Sequence, residues 1–86
     1  MNNKTTPQEW SALPGERLFL ITYDYTESEV TKRCGFLCSA TNRHKAAEFF
    51  WNQHPGEWFS LVSVSDGQLE AFWDARHETF ITIPQD

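Results

Sequence analysis

Between Arg17 and Tyr25 the chain reads Arg-Leu-Phe-Leu-Ile-Thr-Tyr-Asp-Tyr. This run of aromatic and β-branched residues suits a pleated, half-buried surface and predicts a strand. After the polar connection Thr26-Glu-Ser-Glu29, the segment from Val30 to Ala40 alternates. Cys34, Phe36 and Cys38 fall on one face and Gly35, Leu37 and Ser39 on the other, which predicts a second strand and an antiparallel hairpin. The period then changes. From Thr41 to His54 the apolar positions Ala46, Ala47 and Phe50 recur at helical spacing with His54 on the same side, and Pro55-Gly56 closes the segment. A helix over 42–54 follows, with Lys45, Glu48 and Asn52 facing away. Phe49 and Trp51 flank its apolar arc on opposite sides, so at least one of them should be partly exposed.

Glu57 to Val64 returns to strand character, with turn chemistry after it in Ser65-Asp-Gly-Gln68. Leu69, Phe72 and Trp73 have the spacing of a short helix over 69–76, with a strand extending the meander as the alternative. Thr79 to Ile83, before Pro84, predicts a last edge strand. At the other end, Thr6-Pro7 and Glu9 form a capping box that opens a short N-terminal helix ending at Leu13-Pro14-Gly15. Residues 1–5 are polar and expected to be disordered. The expectation is therefore one α+β domain over residues 6–86. Its antiparallel sheet has three to four strands, with one main helix packed on one face of a ββαβ core.

Composition narrows the function. Eighty-six residues make one small core, and 15% aromatic content is enough to fill it. Seven Lys and Arg against twelve Asp and Glu leave a formal charge of −5, which argues against a general phosphate-binding surface. No apolar run approaches the roughly 18 residues a membrane span needs, and no signal-peptide pattern opens the chain. A cytoplasmic protein is the expectation. Cys34 and Cys38 lie on one face of a strand about 13 Å apart, too far for a disulfide and in keeping with a reducing compartment.

Catalytic constellations are thin. Cys34 or Cys38 with His44 would be a Cys/His pair, yet an apolar strand raises a thiol pKa rather than lowering it. Asp74, His77 and Glu78 read as a charged surface turn. His44 and His54, ten residues apart on one helix, are separated by about 15 Å of rise and cannot share a metal. No phosphate loop or dinucleotide fingerprint is present. The expectation is no enzyme, no cofactor and no metal.

Two binding readings follow. Asp24, Glu27 and Glu29 beside Tyr25 make an acidic, aromatic hairpin end suited to a partner with a basic surface. Four Trp residues exceed what so small a core can hide, which nominates Trp51 or Trp73 as an exposed anchor and leaves Trp58 as a core residue. The alternative is a single-stranded nucleic-acid-binding protein using Lys32, Arg33, Arg43 and Lys45 with exposed aromatics. Residues 17–65, a long hairpin followed by Ser39-Ala-Thr-Asn-Arg-His-Lys-Ala-Ala47 opening a helix and a return strand, resemble in outline small phage and mobile-element proteins, anti-CRISPR inhibitors among them. That resemblance implies a stoichiometric inhibitor or regulator of a larger host protein or ribonucleoprotein complex. It carries over no individual residue. A homodimer is compatible with the same outline, because one face of the sheet has no predicted cover.

Overall fold

A computed structural model of the protein describes residues 13–82. The capping-box helix and the N-terminal tail expected over 1–12 lie outside these residues. The elements are β1 (Arg17–Glu27), β2 (Val30–Ala40), α1 (Arg43–Gln53), β3 (Phe59–Ser65), β4 (Glu70–Asp74) and β5 (Thr79–Ile81). All five strands form one antiparallel sheet in the order β2-β1-β3-β4-β5.

The β1–β2 hairpin is tight. Glu27 pairs with Val30 across a two-residue turn of Ser28 and Glu29, both at positive φ (54° and 66°), and the register runs unbroken to Arg17 opposite Ala40. A left-handed backbone at both turn positions gives the twist that matches a right-twisted hairpin. Asn42 caps α1 by accepting from the Lys45 amide at 2.9 Å. The helix buries Ala46, Ala47 and Phe50 on the sheet, against Phe19, Ile21, Cys38, Ala40, Leu61 and Val64.

The β1–β3 ladder contains a bulge. Tyr23 pairs with Leu61 and Thr22 with Ser63, so Val62 is extra. The insertion resets the alternation, which lets Leu61 and Val64 face the helix together despite their three-residue spacing. Ser63 is thereby turned to the opposite face, where it is buried and its hydroxyl donates to the Glu70 carboxylate.

Two expectations need correction. The sheet has five strands, not three or four, because the segment expected as a short helix over 69–76 contains strand β4. The cause is the turn before it. Asp66 accepts from the Gln68 and Leu69 amides, both at 3.0 Å, and Gly67 takes φ +94°, so the chain reverses and Ala71 pairs with Val64. Phe72 and Trp73, which mimic helical spacing with Leu69, point to opposite faces of the sheet. The second correction is Trp58, which is 56% exposed rather than in the core. It precedes β3 at the rim, where α1 has already ended.

Candidate protein-binding surface

The helix-bearing face carries two exposed aromatic groups. Near the hairpin end, Tyr25 stacks on Phe59 with ring centroids 5.2 Å apart, and Trp58 lies beyond at 6.5 Å from Tyr25. Toward the other edge of the sheet, Trp51 stands edge-on to Trp73 at 5.1 Å, Trp73 meets Phe80 at 5.1 Å, and Phe80 meets His44 at 5.3 Å. Trp51 is 39% exposed and Trp73 half-buried. Helix α1 thus presents Trp51 on a backing of strand aromatics, which fixes its ring without hiding it. Phe49, on the other flank of the helix, stacks on Phe36 at 5.8 Å and is 45% exposed.

His54 backs the hairpin-end group from inside. Its ring lies 4.6 to 5.1 Å from those of Phe50, Tyr23, Phe36 and Phe59, and its Nδ1 is 3.1 Å from the Phe50 carbonyl. A carbonyl can only accept, so Nδ1 carries the proton. This histidine fills the sheet–helix junction, the same place where burial raises the Tyr23 hydroxyl pKa, with smaller contributions from Cys34.

The acidic residues proposed at the hairpin end divide between the two faces. Asp24 lies on the face away from the helix, where Arg33 grips it with two hydrogen bonds of 2.9 and 3.1 Å. That pairing holds the Asp24 carboxyl below the usual carboxylate range and raises the pKa of Arg33. Glu27 accepts from the Tyr25 hydroxyl at 2.6 Å, which raises the Tyr25 pKa above its ordinary value. Glu29 occupies the turn. Beside it a hollow of about 300 Å³ is lined by Tyr25, Glu27, Ser28, Val30 and Lys32. Glu27, Tyr25 and Lys32 therefore share a surface with Trp58, whereas Asp24 does not.

The four cations of the nucleic-acid alternative are dispersed. Lys32 lines the hollow at the hairpin end and Arg33 is bound to Asp24 on the opposite face. Arg43 is committed to the β3–β4 turn. Its Nε donates to the Val64 carbonyl and its Nη2 to the Leu69 carbonyl, both at 3.2 Å, and its side chain is largely buried. Lys45 stands 3.6 Å from Glu48 on the outer face of the helix.

The thiols are free, with Cys34 half-buried and Cys38 buried. Burial, and after it the Glu16 carboxylate, push the Cys38 thiol pKa up, which keeps it protonated. Among the described residues no three His, Cys, Asp or Glu side chains gather as a metal site, and no helix is long and apolar enough to cross a membrane. Sequence reasoning missed Trp58, Phe80 and His44 as members of this surface. Phe80 was visible as an apolar residue of an edge strand, but its contact with His44 depends on the β4–β5 register. Comparisons with protein-family models, with curated proteins and with solved structures give no match.

Proposed function

We propose that the protein acts without catalysis, by binding another protein through the aromatic surface on the helix side of the sheet. The observation that carries this reading is Trp51, exposed on α1 and held edge-on by Trp73. A large amphipathic ring whose rotamer is already restrained loses little entropy on docking, which is what interface anchors require. Trp58 and Tyr25 provide a second aromatic contact. The carboxylates of Glu27, Glu29 and Glu57 at that end, with a formal charge of −5 for the whole chain, favour a partner with a basic rim. An inhibitor or regulator of a larger complex is the form of action implied by the outline of residues 17–65.

The test compares stoichiometric capture of protein from nuclease-treated host lysate by the wild-type chain, by Trp51→Ala and by Glu27→Lys with Glu29→Lys. A protein band retained by the wild type and lost with Trp51→Ala supports the reading. Equal capture by Trp51→Ala, or recovery of nucleic acid alone, overturns it. Loss with the lysine variant as well would assign the charged end to the same interface.

A further inference from the structure

The opposite edge of the sheet is formed by β2. Because Glu27 and Val30 flank a two-residue turn as a hydrogen-bonded pair, even-numbered residues of β2 bond to β1 and odd-numbered ones turn their backbone groups outward. The amides and carbonyls of Gly35, Leu37 and Ser39 thus face away from the sheet. Among the described residues no strand lies beyond β2. An edge this long is ordinarily guarded by charge, proline or a bulge. Lys32 and Arg33 guard only the half near the hairpin, and Cys34 to Ala40 contains no charge, no proline and no register shift. Apolar side chains crowd the same stretch on both faces. Leu37 (39% exposed) and its cross-strand neighbour Leu20 (47%) lie on the face away from the helix, while exposed Phe49 stacks on Phe36 on the other.

We infer that this edge is a homodimer interface, in which β2 of a second copy pairs antiparallel about a two-fold axis through Leu37. In that register Leu37 opposes the second copy's Leu37, and Gly35 opposes its Ser39. The uncharged stretch 34–40 then pairs with itself throughout. A row of leucines, Leu20 and Leu37 from each copy, becomes continuous across the junction. Lys32 and Arg33 fall beyond the paired segment, so no like charges meet. This charge-free self-complementarity selects a second copy over a foreign strand, and the result is a ten-stranded sheet. The surface is distinct from the Trp51–Trp73 group, which lies on the helix side of β4 and β5 at the far edge.

The test is sedimentation of the full chain through a dilution series under reducing conditions, which excludes a link through the free thiols. The wild type is expected at twice the chain mass of 10.0 kDa. Leu37→Lys, which places a charge on its own copy at the two-fold, is expected at the monomer mass with an unchanged circular dichroism spectrum. Val30→Lys, on the same strand outside the paired stretch, is expected to remain dimeric. A wild-type monomer at every concentration overturns the inference. A dimer that survives Leu37→Lys, or is lost equally in Val30→Lys, overturns this placement of the interface.

Discussion

Trp51 and Trp73 meet edge to face, ring centroids 5.1 Å apart and planes at 69°, and this contact joins the outer flank of the helix to the fourth strand. Replacing Trp51 by alanine removes the aromatic pair and part of the apolar cover over Trp73. A loss of about 1–2 kcal/mol is expected, from a pair energy of that order and incomplete burial. Urea unfolding measures it. The loss is small enough that a folded variant remains for binding assays, and a variant that does not fold would contradict the exposed position of the ring.

Phe50 is wholly buried between helix and sheet, with two alanines beside it. Its neighbours are strand residues fixed by their ladders, so they can move little into the space. Phe50→Ala should cost about 3–5 kcal/mol, read as a lowered denaturation midpoint with an unchanged slope. A cost below about 1 kcal/mol would mean that the site collapses freely, contrary to a rigid sheet.

The hairpin turn holds Ser28 and Glu29 at positive φ, where neither side chain is favoured. Asn-Gly is the pair that accepts this geometry without strain. The double substitution Ser28→Asn with Glu29→Gly should therefore stabilise the protein by about 1 kcal/mol or more. Thermal unfolding checks it, and a fall in stability would show that the turn is not of this type.

Acid should weaken the fold through Asp66 before it acts on the apolar core. The Leu69 and Gln68 amides, with Arg17 and Arg43 beyond them, hold the Asp66 carboxyl below its ordinary range. The Arg33 hydrogen bonds do the same for Asp24, and His77 does so for Asp74. A carboxyl whose pKa is lower folded than unfolded binds fewer protons in the native state. Its stabilisation is present above the ordinary carboxylate range and is lost as pH falls through the folded value. Asp66→Asn should lower stability at neutral pH and flatten the decline on the acid side. Chemical denaturation at a series of pH values measures both, and an unchanged acid limb would remove Asp66 from this account.

How much of this was legible in the sequence depends on whether neighbours along the chain or across it decide the outcome. The bounds of β2 and the buried face of α1 follow from periodicity, since Cys34, Phe36 and Cys38 alternate and Ala46, Ala47 and Phe50 return every turn. β4 was hidden because adjacent Phe72 and Trp73 satisfy helical spacing while a strand sends them to opposite faces. The bulge at Val62 leaves no mark in composition, yet it decides that Leu61 and Val64 share a face. The candidate surface was half visible: Trp51 could be nominated from its place beside the helical arc. Trp58 could not be separated from the core, because its exposure depends on where the helix stops above the sheet. The pairings of Asp24 with Arg33 and of Arg43 with Val64 and Leu69 arise from tertiary register, and they removed charges that a linear reading leaves free.

The helix rests on the sheet through Ala46, Ala47 and Phe50 alone as fully buried side chains, whereas β1 is flanked on both sides by ladders. The helix is held to the sheet by side chains, through Phe50, Trp51, Phe49 and Arg43, whereas the strand backbones are also tied to one another by ladder hydrogen bonds. Its backbone amides should exchange with solvent deuterium well before those of Phe19 and Ile21. A surface that carries Trp51 is thus mounted on a layer joined to the sheet by side chains and not by a ladder, and a partner gripping that ring would also clamp the layer in place.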